Sequence, residues 1–193
     1  MRIVRTLVVL GTLIAATTSL GLTPAMAPPA CTWVGTPGPD EKHGTAGDDV
    51  LCGRGGDDKL FGGPGNDVLR GGPGDDFMSG ERGNDKLFGR AGRDSMIGRG
   101  GDDVMYGGLG IDNGDGGQGD DRLYGGPGGD STLYGGSAGA DRVFGGDGND
   151  GCVTTIDSMG NDAVFGGPGT DHYYVDPGDD VTDAEIPGPC FAE

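Results

Sequence analysis

Basic residues are scarce in this chain: 13 Lys and Arg stand against 31 Asp and Glu, a formal net charge of −18. A surface of that sign repels phosphate backbones and anionic lipid headgroups, so neither nucleic acid nor an anionic membrane is expected as a partner. Histidine is rarer still. His43 and His172 are the only two, which leaves no H-E-x-x-H zinc site and no candidate general base. The phosphate-cradling pattern G-x-x-x-x-G-K is missing. Gly135-Gly136-Ser137-Ala138-Gly139 spells G-x-S-x-G, but a nucleophile elbow needs a strand before the serine and a helix after it. A glycine-rich turn supplies neither, and no catalytic residues are assigned. Aromatics make up only 6% of the chain, and an acidic sequence so poor in core formers is ordinarily disordered in water.

What the chain has in abundance is glycine, 46 residues of it, arranged in a repeat. From Gly44 the frames run GTAGDDVLC, GRGGDDKLF, GGPGNDVLR, GGPGDDFMS, GERGNDKLF, GRAGRDSMI, GRGGDDVMY, GGLGIDNGD and GGQGDDRLY. Two ten-residue frames follow, then GGDGNDGCV, an insert Thr154 to Ile156, DSMGNDAVF, GGPGTDHYY and VDPGDDVTD. Once the insertions are allowed for, every frame carries a glycine at place four and an aspartate at place six. The aspartates are Asp49, Asp58, Asp67, Asp76, Asp85, Asp94, Asp103, Asp112, Asp121, Asp130, Asp141, Asp150, Asp162, Asp171 and Asp180. So short a period predicts a solenoid.

Physically, each frame reads as six residues of turn and three of strand. Glycine supplies positive φ, and Asp or Asn at places five and six tolerate left-handed backbone. Place eight, with Leu51, Leu60, Leu69, Met78 and Leu87 among its members, should face a thin core while place seven faces water. Frame eight puts Gly114 at the core place, and frames twelve, fourteen and fifteen put Cys152, Tyr173 and Thr182 there. Two frames facing each other close one coil, and coils stack at about 4.8 Å. The aspartates then pile into two rows whose members repel by about 1 kcal/mol per pair even in water. Such rows call for cations. Hard divalent ions accept carboxylate together with unpaired turn carbonyls, and calcium tolerates irregular all-protein oxygen cages better than magnesium. Paired aspartates from Asp49 with Asp67 to Asp112 with Asp130 predict several calcium ions per chain. The ten-residue frames and the insert should disturb the stack after Gly125.

The frames resemble the G-G-x-G-x-D-x-U-x nonapeptide of RTX, or haemolysin-type, calcium-binding proteins. The resemblance covers residues 44 to 183 and implies an all-β fold, a parallel β-roll (β-helix or solenoid) of about fifteen nonapeptide repeats. It further implies calcium between successive coils, held by the place-six aspartates and turn carbonyls, and a chain that folds when the metal binds.

The flanks are read as follows. Residues 1–27 form a signal peptide: Arg2 and Arg5, an apolar stretch from Leu7 to Leu22, and an A-x-A site at Ala25-Met26-Ala27, with cleavage after Ala27 or after Ala25. Residues 28–43 and 184–193 are cap segments, too short for a catalytic domain. The mature chain is expected to be extracellular or at the cell surface, with no membrane insertion. Four cysteines in an exported chain favour two disulfides and allow three connectivities. Pairing Cys31 with Cys52 and Cys152 with Cys190 would staple both ends of the solenoid. Aromatics at place nine, Phe88, Tyr106, Tyr124, Phe144 and Phe165, should form an outward ladder. The expected function is a calcium-binding structural or binding module. The alternatives are a glycan-binding adhesion module that uses the ladder, and an accessory domain of a secreted hydrolase or toxin system.

Overall fold

The computed structural model describes residues 29–156, 162–182 and the backbone of 186–187. Among these residues there is no helix. Two sheets of nine strands each face one another, and every pairing is parallel. The first sheet runs through Trp33–Val34, Val50–Cys52, Val68–Pro73, Lys86–Gly92, Val104–Gly110, Arg122–Pro127, Arg142–Asp147, Ala163–Phe165 and Asp180–Thr182. The second holds Glu41–His43, Lys59–Pro64, Phe77–Arg82, Ser95–Gly100, Asn113–Gln118, Thr132–Tyr134, Val153–Thr155, His172–Val175 and Ile186–Pro187. The chain alternates between the sheets, one frame to each. The fold is a parallel β-roll.

Place eight does face inward. Leu51, Leu60, Leu69, Met78, Leu87, Met96, Met105, Leu123, Leu133, Val143 and Val164 form one buried cluster. Each fully buried side chain of this kind contributes about 1.5–3 kcal/mol. Gly114 leaves a gap in the row, which Leu123 fills: a Cβ on Gly114 would stand 3.1 Å from the Leu123 Cδ2.

Three details depart from the sequence reading. The strands are longer than three residues, because places one to three of the next frame stay in the ladder, as in Lys59–Pro64. The positive φ angles fall at places two and four, not at five and six. Frame twelve is shifted by one residue: Val153, not Cys152, pairs with Leu133 and enters the core. The sheets survive the inserts because extra residues are taken up in turns. Stacked aspartates lie 18 residues apart up to Asp130 and 20 or 21 apart beyond it.

At the N-terminal end, Trp33–Val34 and Glu41–His43 pair with Leu51–Cys52 and Lys59–Phe61, so the ladders begin at Trp33. Cys31 and Cys52 form a disulfide there. Cys152 is also disulfide-bonded, and its expected partner Cys190 lies outside the described residues, as does the leader 1–27.

Candidate metal centre

From Asp49 to Asp150 each place-six aspartate sits where the turn re-enters the sheet, with its backbone N–H pointing along the stack toward the next coil. The partner is the carboxylate one coil on. Asp49 N–H donates to Asp67 Oδ1 at 2.7 Å, Asp67 N–H to Asp85 Oδ1 at 2.7 Å, and Asp85 N–H to Asp103 Oδ1 at 2.7 Å. The opposite edge repeats the chain from Asp58 through Asp76, Asp94 and Asp112 to Asp130, at 2.8–2.9 Å. Past the inserts the first edge continues from Asp121 to Asp141 and Asp162, and the opposite edge from Asp130 to Asp150 and Asp171. Buried main-chain donors are thereby satisfied by side-chain oxygens, two files of them along the two edges of the roll.

The second carboxylate oxygen is treated differently. Oδ2 of Asp58, Asp67, Asp76, Asp85, Asp94, Asp103, Asp112, Asp121, Asp130, Asp150 and Asp171 is buried and accepts no hydrogen bond. Those from Asp58 to Asp150 point at the glycine at place one of their own frame, where a side chain could not fit. A Cβ on Gly53 would collide with Asp58 Oδ2 and stand 2.8 Å from the carbonyl oxygen of Gly71, one coil on. A Cβ on Gly107 would meet Asp112 Oδ2 and, at 2.6 Å, Gly125 O. Acceptor thus faces acceptor with no proton between them. An orphaned buried carboxylate oxygen costs several kcal/mol unless a cation answers it. Among the described residues no three His, Cys, Asp or Glu side chains gather at one point, so main-chain carbonyls must supply most of any metal's shell. That donor set, one carboxylate with backbone oxygens, suits calcium. At Gly135 the pattern breaks. Thr155 Cγ2 stands 2.9 Å from the missing Cβ, a methyl where the cradles of Asp103, Asp112 and Asp121 hold a carbonyl.

Burial pushes these carboxyl groups up. Asp76, Asp85 and Asp150 rise to about 6, Asp94, Asp103 and Asp130 to about 7, and Asp121 to about 8, in every case mainly through desolvation. Asp49 goes the other way: the N–H of Thr45 bonds its Oδ2 and lowers its pKa.

The sequence reading missed part of the ladder. Gly35 to His43 reads GTPGPDEKH and is a frame of its own, whose Asp40 N–H donates to Asp58 Oδ1 at 2.9 Å. Gly35, Gly38 and Asp40 were the available signal, hidden by Lys42 at the core place. In the last frame the turn is one residue short. Asp180 is exposed in the strand and pairs with Ala163, while Asp179 takes the ladder position and accepts from Asp162 N–H at 3.4 Å. Place five forms a second, outer ladder, with Asn66 N–H on Asp48 Oδ1, Asn84 N–H on Asn66 Oδ1 and Asp102 N–H on Asn84 Oδ1.

The family model for the RTX calcium-binding nonapeptide repeat (4 copies) matches residues 34–69, 43–78, 53–87, 79–114, 115–152 and 159–181. The chain belongs to this family. The first RTX match starts at residue 34, which takes in the frame of Asp40. No curated protein gives a match to the chain. As an RTX repeat protein it is a calcium-binding module, and the buried aspartate ladder is consistent with that property.

Proposed function

We propose that this RTX chain is a secreted, non-catalytic structural module whose roll is folded and held by extracellular calcium. The ions lie between successive coils along both edges. Each is held by Oδ2 of a place-six aspartate and by the carbonyl of the place-one glycine on the following coil. The observation that carries the reading is the two files of orphaned Oδ2 atoms, eight of which, on Asp58, Asp67, Asp94, Asp103, Asp112, Asp121, Asp130 and Asp150, meet a main-chain carbonyl of the following coil at a glycine cradle. The Asp141 cradle, closed by the Thr155 methyl, takes no ion. Asp179 belongs to the ladder in place of Asp180, and Asp40 heads it.

Export is supported by the leader-like residues 1–27 and by the Cys31–Cys52 disulfide, since such bonds persist in oxidising compartments. The absence of catalysis is supported by the surroundings of the few reactive groups. Ser137 Oγ donates to Gly117 O at 3.2 Å within a turn, and His43 and His172 are exposed and distant from it in sequence. The aromatic ladder is real, but its rings lie parallel, with centroids 4.6–5.2 Å apart. Ring faces cover one another and only edges look outward. That geometry supports cross-strand packing over a platform for neutral sugars, which need an open face.

Calorimetric titration with calcium, followed in parallel by far-UV circular dichroism, tests the reading. Several ions bound per chain with positive cooperativity, together with a gain of β signal, are expected. A stoichiometry of zero or one would remove it.

A further inference from the structure

The charge of this chain is unevenly placed. The outward positions of the first sheet carry Arg54, Arg70, Lys86, Arg90, Arg122 and Arg142, six of the 13 basic residues in the sequence. At places seven, nine and two, the rows that hold these residues, there is no Asp or Glu from Val50 to Phe165; the one acid in this sheet's strands over that span is the exposed Asp147, at place three. The corresponding rows of the second sheet are mixed and include Glu41, Glu81 and Asp115. Exposed charges farther than about 8 Å are largely screened at physiological salt, so a ligand at the first sheet meets a basic face on an acidic protein.

Three of the arginines converge. Arg54, Arg70 and Arg90 line a concavity of about 470 Å3 whose apolar floor includes the Cys31–Cys52 disulfide and Pro73. Arg70 is held in place, donating from Nη1 to Pro29 O at 3.3 Å and lying 3.6 Å from Cys52 Sγ. None of the three pairs with a carboxylate among the described residues; the ion pairs there are His43 with Glu41 and Arg99 with Glu81. Arg54 and Arg90 also occupy left-handed backbone, with φ of 86° and 91°, in a row where the neighbouring coils place glycine. A non-glycine residue in that region costs about 1 kcal/mol. The second sheet has the same strain at Glu81 and Arg99, and there the two side chains pair with each other. On the first sheet no carboxylate among the described residues pairs with Arg54, Arg70 or Arg90.

We propose that this pocket binds an oxyanion group of an acidic polysaccharide, a sulfate or carboxylate on a sugar chain that runs on along the basic face toward Arg122 and Arg142. Guanidinium forks match such groups two bonds at a time. A nucleic acid is the poorer fit, because bases stack on open aromatic faces and the rings here are closed against one another. The proposal rests on the calcium-folded roll described above.

The test is calorimetry on the full chain in calcium, with a sulfated oligosaccharide, the neutral oligosaccharide of equal length, inorganic sulfate, and single-stranded DNA of equal charge. Saturable binding of the sulfated sugar alone is expected, weakened at least tenfold in the double variant Arg54→Gly, Arg90→Gly. Glycine relieves both left-handed positions, so the calcium midpoint of folding should not rise. That midpoint separates loss of the pocket from loss of the roll: if wild type shows no calcium-dependent folding, the parent reading fails; if it folds and binds no sulfated sugar, this proposal fails. Equal binding by wild type and double variant, sulfate binding as tightly as the sugar, or tighter binding of DNA would each overturn the assignment.

Discussion

Asp49 and Asp85 hold the same place in their frames, on the same edge of the roll, yet their carboxylates are treated in opposite ways. Oδ2 of Asp49 accepts the Thr45 N–H at 2.6 Å and the Thr45 hydroxyl at 2.9 Å. Asp40 repeats this with Thr36, at 2.6 and 3.0 Å. Oδ2 of Asp85 is buried with nothing to accept. The difference is made at place two. Thr36 and Thr45 stay out of the left-handed region, and their N–H groups turn back to their own aspartate. Glu81, like Arg54 and Gly63, has positive φ. There the peptide is flipped, and the Arg54 N–H, for one, goes to Gly71 O on the next coil at 3.0 Å. On the proposed function, the backbone angle at place two decides where a cation is needed as much as the aspartate does. The first coils would then close the roll without metal, and the central coils would require it.

The largest expected effect follows from chelation. Removing calcium should abolish the β signal of the central coils. Asp85→Ala should raise the calcium midpoint of folding at least tenfold, since it deletes a cradle and orphans the Asp67 N–H, a loss of about 1.5–3 kcal/mol for the charged hydrogen bond alone. Asp49→Ala should move the midpoint less, because its carboxylate is already answered, and Asp180→Ala should leave it unchanged. Equal midpoints for Asp85→Ala and Asp49→Ala would break the comparison.

Acid provides the next test. In calcium-free buffer the central carboxyls are protonated in the roll up to about pH 6 for Asp85 and about pH 8 for Asp121, against an ordinary 3.8. Between those limits the unfolded chain holds fewer protons, so stability falls as pH rises. The contribution is complete below about pH 4 and is lost as pH climbs through 6 to 8. With calcium the slope reverses, because the metal binds ionised carboxylates. Circular dichroism from pH 3 to 9, with and without calcium, should give crossing curves. Asp121→Asn sharpens the point: it should stabilise the roll at pH 8 without calcium and destabilise it with calcium. A change of the same sign in both buffers would count against a metal at that cradle.

Much of this was legible in residues. The core row from Leu51 to Val164, the alternation of sheets and the outward ladder from Phe88 to Phe165 follow from side-chain parity, which a fixed period transmits without error. The aspartate files were legible for the same reason. What could not be read was where a frame gains or loses one residue. Val153 displaces Cys152 from the core, and Asp179 displaces Asp180 from the ladder, because a parallel stack keeps its register and pushes the mismatch into the turn. The frame of Asp40 was hidden because Lys42 at the core place masks the apolar mark of the repeat. The role of Thr36 and Thr45 depends on a backbone angle, which residue type alone does not settle.

The smallest effect is also the most direct probe of the contrast. Thr45→Val keeps a β-branched residue, which disfavours positive φ, and keeps the N–H bond to Asp49 while removing the hydroxyl. It should cost about 1 kcal/mol, with the calcium stoichiometry unchanged. Thr45→Gly opens the left-handed region that Gly63 occupies on the next coil, at φ 103°. If place two governs the demand for metal, Asp49 should then lose its internal donors and behave like Asp85. The glycine variant would be less stable than wild type without calcium, by about 1–2 kcal/mol for the lost charged bonds, and would bind one more ion with it. Stoichiometry from calorimetry decides the matter: an extra ion in the glycine variant and none in the valine variant assigns the switch to backbone conformation, whereas equal counts in both would return it to the aspartate alone.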